Sequence, residues 1–181
     1  MKKNLLVVVA TISILVSSCS DKKNKMQIKI DSAEQKLKQE NNAIPDKKKA
    51  ADVIHLYLAF ADEYPEDSLT AEYLFRAADI TNGIKQPDQA IVLFERVHTF
   101  KNSSKAPIAL FLQGFISETE LHNLSKAKLY YEQFLREYPN HKLASDVQMT
   151  ITNLGKSPEE LIEEFEAKAQ KENAVVNEVI K

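Results

Sequence analysis

The chain has 181 residues, with 24 Lys+Arg against 26 Asp+Glu for a formal net charge of −2, and 44% of its residues are hydrophobic. That balance leaves out the strongly basic face that nucleic-acid binding wants. A single cysteine rules out an intramolecular disulfide. Three glycines and no tryptophan are unlike an all-β domain with tight turns. Leu, Ala, Glu, Lys and Gln dominate, and these are good helix formers.

The chain begins with a short basic stretch, Met1-Lys2-Lys3-Asn4, followed by Leu5 to Val16 without a charge and then Ser17-Ser18-Cys19. A positive start, an apolar run of about 7–15 residues and small residues before a cut describe an export signal. The run is too short for a spanning helix, which needs about 20 apolar residues. Val16-Ser17-Ser18-Cys19 resembles the lipobox of bacterial lipoproteins. The resemblance implies cleavage after Ser18 and a diacylglycerol on the thiol of Cys19. Two or more acyl chains suffice for a stable tether, where one is marginal. Ser20 is not the Asp that retains such proteins in some inner membranes, so the expectation is an outer membrane, facing the periplasm. Removing residues 1–18 leaves 22 Lys+Arg against 26 Asp+Glu, a charge of −4. Residues 19–25, with three lysines and no apolar residue after the cysteine, are expected to be a flexible tether. A helical domain is expected over 26–172 and a C-terminal tail over 173–181.

Three segments align at a spacing of 37 residues. Val53, Ala90 and Ala127 coincide, then Tyr57, Phe94 and Tyr131, then Phe60, Val97 and Phe134. Pro65, Asn102 and Pro139 follow. Each apolar set runs i, i+4, i+7, one face of a helix, and a proline at the end prevents continuation. Partner helices lie between, with small residues such as Ala77, Ala78 and Gly114 that permit close approach. The unit is a helical hairpin whose apolar face only the next hairpin can bury. The spacing predicts eight helices: 26–41, 46–64, 68–83, 87–100, 104–121, 124–138, 141–154 and 158–172. Pro87 and Pro158 suit a first helical position, and Ser157 with Glu160 forms a capping box. The last helix reads as a polar cap with Leu161, Ile162 and Phe165 inside, or alternatively as an acidic partner-binding helix. Val176, Val179 and Ile180 either prolong it as an apolar stripe or belong to a frayed end.

These residues resemble tetratricopeptide repeats, with Ala90 and Ala127 at the alanine position, Phe94 and Tyr131 at the aromatic and Pro139 at the proline. The match departs from that family in its longer unit, its lack of tryptophan and its Asn102. The resemblance covers residues 46–156 and implies an all-α, right-handed solenoid of antiparallel hairpins. It also implies a concave face lined by the first helix of each pair. The lining positions carried over are Glu72, Phe75, Asp79 and Asn82, then Ala109, Leu112, Ile116 and Thr119, then Asp146, Met149 and Asn153. Phe75, Leu112 and Met149 would form an apolar floor, and Glu72, Asp79 and Asp146 an acidic rim. The alternative is that Phe75 and Leu112 pack between helices, with the phase off by one.

His55, His98, His122 and His141 are scattered, with no acid or cysteine at metal-ligand spacing. No His-Glu-x-x-His, Gly-x-Ser-x-Gly or glycine-rich phosphate loop occurs. Catalysis, cofactor and metal are therefore not expected. Asp31-Ser-Ala33 and Asp67-Ser-Leu69 resemble acceptor triplets of envelope O-glycosylation, and Asp67 or Ser68 has the plainer duty of capping a helix. The expected function is a lipid-anchored protein–protein scaffold that takes peptide segments of other envelope proteins. It resembles the repeat lipoproteins of the outer-membrane β-barrel assembly machine and related periplasmic repeat proteins. A lipoprotein that captures a glycan or small molecule for a transporter, and a self-associating spacer, are the alternatives. The sequence leaves the oligomeric state open.

Overall fold

In the computed structural model, residues 21–39 and 46–179 are described, with side chains through residue 171. Among the described residues all regular structure is helical: α1 (21–38), α2 (Lys47–Glu63), α3 (Thr70–Gly83), α4 (Pro87–His98), α5 (Lys105–Thr119), α6 (Leu124–Glu137), α7 (Ala144–Asn153) and α8 (Pro158–Val179). Neighbours along the chain pack on each other, α2 on α3, α3 on α4 and α6 on α7, as a helical-hairpin repeat requires. No helix among the described residues is long and apolar enough to cross a membrane.

Local chemistry sets the helix ends. The Asp46 carboxylate accepts the Lys48 and Lys49 amides at 3.0 and 2.9 Å, and Asn123 accepts that of Lys126 at 3.0 Å. Both satisfy orphan donors of a first turn. The Ser157–Glu160 box forms in both directions, at 2.7 and 3.2 Å. Gly155 follows α7 with φ of +81°, a conformation that costs glycine nothing.

The chain divides into two compact units, the first ending at Ala109 and the second beginning at Leu110. The core of the N-terminal unit holds Ile30 of α1, Val53, Tyr57 and Phe60 of α2, and Tyr73 and Ala77 of α3. Tyr57 and Tyr73 stack with centroids 5.2 Å apart, and Phe60 meets Tyr73 edge-on at 4.8 Å. The core of the C-terminal unit holds Leu110 of α5, Ala127, Tyr131 and Phe134 of α6, and Val147 of α7. A Cβ on Gly114 would stand 2.6 Å from the Tyr131 ring, so only glycine admits this approach of α5 to α6.

Two expected boundaries are corrected. Residues 21–25 are not a flexible tether but the first turns of α1. Lysine is a fair helix former, and Lys22 and Lys23 pair with Glu63 and Asp67. Residues 19 and 20, with Cys19 among them, lie outside the described residues. The last helix does not stop at 172 but runs to Val179. Ile180 lies outside the described residues.

A third correction concerns register. The turn after α2 is built from Tyr64, Asp67 and Thr70, with Asp67 N–H on the Tyr64 carbonyl at 3.1 Å and Thr70 N–H on that of Asp67 at 3.0 Å. The same pair of bonds recurs at Tyr138, His141 and Ala144, at 3.0 and 2.8 Å, 74 residues on. In the middle turn it is made by Phe100, Ser103 and Ala106, at 2.8 and 3.1 Å, and there the spacing is 36. The second helices keep the 37-residue step from Phe60 to Val97 to Phe134, while the first helix of the middle hairpin is one residue early. The buried hydroxyls confirm it. Thr81 donates to the Ala77 carbonyl at 2.7 Å and Ser117 to that of Gln113 at 2.6 Å, again 36 apart.

Candidate functional site

The shifted register changes which side chains of α5 correspond to the expected groove positions. Phe75 and Asp79 of α3 have Phe111 and Phe115 as counterparts, and on α7 these become Met149 and Asn153. Burial agrees. Ile116 is 1% exposed and Ala109 fully buried, so neither lines an open surface, whereas Phe115 is 45% exposed. Leu112 is half-buried. Phe111 and Phe115 stack at 6.2 Å, and Phe111 also meets Tyr131 at 5.9 Å. One residue missing from a turn rotates a helix face by about 100°, enough to exchange Ile116 for Phe115.

In the C-terminal unit, α7 and α8 bound a cleft of about 410 Å³. Met149 and Asn153, both expected from the register, line it beside Gln148, Thr152, Phe165 and Lys168. Met149 is 57% exposed and Phe165 62%. Asp146, on the same helix, is exposed. Phe165 and Ile162 are therefore not inside as the capping reading expected. α8 turns Leu161 partly inward, and among the described residues no later helix follows to cover the rest. Side chains this large left open on adjacent helices mark an interaction surface, since a lone exposed residue would need no explanation.

The N-terminal unit places its expected residues differently. Phe75 packs edge-on against Phe94 of α4 at 5.3 Å, and the Lys105 ammonium stands 4.7 Å above its ring. It is a packing residue with one capped face. Glu72 bonds Arg76 at 2.8 Å and Lys105 at 2.9 Å, while Arg76 reaches Glu34 of α1 at 2.8 Å. Tyr57 donates its hydroxyl to the same Glu34 carboxylate at 2.5 Å. Burial would raise the Glu34 carboxyl, but the bonds from Tyr57 and Arg76 outweigh it and hold it below the usual range. Burial likewise works against ionised Glu72, and Lys105 and Arg76 prevail. The Tyr57 hydroxyl is pushed up by burial and by the charge of Glu34. Asp79 is exposed and borders a cleft of about 350 Å³ with Glu34, Lys38, Arg76 and Ile80. Asn82 is half-buried, its Oδ1 buried without a hydrogen-bond partner. This face of α3 is thus tied to α1 by the Arg76–Glu34 pair and to α5 by the Glu72–Lys105 pair, and α1 is an element the sequence resemblance did not include in the repeat.

Asp67 accepts the Leu69 amide at 2.9 Å within the turn before α3 and pairs with Lys23. The N-cap of α3 is Leu69, without a side-chain cap bond, so the expected capping duty is replaced by a turn contact. His98 is buried with Nε2 2.8 Å from the Lys101 ammonium, and His141 accepts the Leu143 amide at 3.2 Å. Among the described residues no group of three His, Cys, Asp or Glu side chains could hold a metal ion. Phe111, Phe115 and Phe165 are the residues that sequence reasoning missed. A Thr81–Ser117 alignment in place of the 37-residue step would have found the first two. Nothing in the pattern of α8 separates Phe165 from a core residue. No protein-family model matches this chain, and no curated protein matches it.

Proposed function

We propose that this protein is a lipid-anchored interaction scaffold of the bacterial cell envelope. Cys19 carries the lipid, the body faces the periplasm from the outer membrane, and the C-terminal unit takes a peptide segment of another envelope protein. The observation that supports the reading is the exposed apolar set of that unit. Met149 and Phe165 border one cleft, and Phe115 lies open at a matching position of α5. Two helices bounding an apolar cleft suit an amphipathic helix or extended segment read through spaced anchors. Gln148, Thr152 and Asn153 offer hydrogen bonds to it, and exposed Asp146 on the same helix favours a segment carrying lysine or arginine, while Glu164 is held by Lys156. The tetratricopeptide-like pattern points to outer-membrane protein assembly as the process served.

The test has two arms. Cys19→Ala should leave the chain uncleaved or free of membranes in a fractionation experiment. A Cys19→Ala chain still processed and membrane-bound would end the lipoprotein reading. A photo-crosslinking residue at Met149 or Phe165 should capture a discrete envelope protein in cells, and one at exposed Val92 should not. Equal capture at all three positions, or none, would end the groove reading.

A further inference from the structure

The outer face of the first hairpin carries a second groove. Ile28 and Ala33 of α1 with Leu56 of α2 form its apolar part, and Lys29, Lys36 and Lys49, with Asp52 as the one acid, surround them in a cleft of about 470 Å³. Ile28 is 58% exposed, and Lys29 and Lys36 are exposed. In both units the fold lays a helix across the core side of a hairpin: Tyr73 of α3 joins Tyr57 and Phe60, and Val147 of α7 joins Tyr131 and Phe134. Here the opposite side of a hairpin presents the same kind of surface, apolar between two helices, and no described element fills it.

The chain also possesses a helix of the complementary kind. On α8, Ile162, Phe165 and Ala169 fall at i, i+3, i+7 and are exposed, Ile162 at 57%. Glu159, Glu163 and Glu166 run along one side of that stripe at helical spacing, all exposed. Over residues 158–171 the helix has five glutamates against two lysines, whereas the charged side chains that line the groove are Lys29, Lys36 and Lys49 against Asp52. An acidic amphipathic helix and a basic-rimmed apolar groove are matched in both charge and polarity.

We propose that copies of this chain associate with one another, the α8 stripe of one molecule lying in the α1/α2 groove of the next. The two surfaces differ, so the contact is heterologous. One helix in one groove falls short of the roughly 1,200 Å² that a stable interface buries, so a single contact is weak. It is also sensitive to salt, because its charges stay near solvent. The inference is independent of lipidation but shares Phe165 with the α7/α8 cleft, so the charge exchanges on α8 are placed at Glu159 and Glu163, which do not line that cleft.

Charge exchange on the purified full-length chain in detergent tests it, with mass followed by sedimentation against concentration. The wild-type chain should gain mass with concentration at low salt and lose that gain at high salt. Lys29→Glu with Lys36→Glu should weaken association about tenfold or more, and so should Glu159→Lys with Glu163→Lys. All four side chains are exposed, so unchanged melting of each variant shows that it is folded. An equimolar mixture of the two variants should recover association close to wild type, because each altered surface then meets one of opposite charge. A wild-type chain that stays monomeric overturns the proposal. So do variants that associate like wild type, the result if residues 1–20 or another face drive assembly. A mixture no stronger than its components does the same.

Discussion

Tyr57 and Tyr131 stand 74 residues apart at the same place of the repeat, both buried, each donating its hydroxyl to a glutamate at 2.5 and 2.7 Å. Burial and the carboxylate raise the hydroxyl pKa of both. What surrounds the two pairs differs. Glu34 belongs to a chain of charges running through Arg76 and Glu72 to Lys105, and that chain ties α1 to α3. Both rings meet an aromatic neighbour, Tyr57 stacking on Tyr73 at 5.2 Å and Tyr131 meeting Phe111 at 5.9 Å. Only around Tyr131 does the contact lead on to an exposed ring, Phe115 stacked on Phe111. One repeat therefore builds two kinds of surface. A closed, ion-paired face adds little stability, since exposed pairs are each worth about 0–1 kcal/mol. An apolar face left open costs solubility unless something covers it. That contrast is why the proposed partner site falls in the C-terminal unit.

The largest expected effect tests whether the two units are separate in energy as well as in contact. Phe60 and Phe134 are equivalent and fully buried, and truncation of either to alanine should cost about 3–5 kcal/mol. Hydrogen exchange should show Phe60→Ala loosening α2 and α3, and Phe134→Ala loosening α6 and α7. Equal loss of protection in both halves from either variant would mean one cooperative body and dissolve the comparison.

A smaller effect sharpens the register. Ile116→Ala should cost about 2–5 kcal/mol because it empties a buried site, while Phe115→Ala, at an open site, should change the melting midpoint far less and weaken partner capture. The reverse pattern would restore the 37-residue alignment and return Ile116 to the groove.

The smallest effect separates the units by pH. The Glu34 and Glu72 carboxyls lie below their ordinary value in the folded chain. Their contribution is complete above the unfolded carboxylate pKa of about 4.3 and disappears as pH falls through the lowered folded values. Acidification below about pH 4 should loosen α1 and α3 of the wild-type chain before α6 and α7, and Glu34→Gln should remove most of that difference. Simultaneous loss in both units would assign the acid response to other groups.

Helix identity, the hairpin repeat and the Ser157–Glu160 capping box were legible in residue order, because each rests on neighbours within one or two turns. Ser157 and Glu160 act on amides next to them. The step linking Phe60, Val97 and Phe134 shows in the sequence because one helix face repeats. Tertiary structure decided the rest. The missing residue falls between Val97 and Phe100, three steps where Phe60 to Tyr64 and Phe134 to Tyr138 are four. No periodicity in α5 reports that loss, since Phe111, Leu112, Phe115 and Ile116 are apolar on both sides of the boundary. Lys22 and Lys23 read as spacer until Glu63 and Asp67, some 40 residues on, stand beside them. The apolar spacing of Ile162 and Phe165 is the same whether a helix covers them or not. Exposure belongs to the packed chain, because it depends on which surfaces meet, and those surfaces come from distant parts of the sequence.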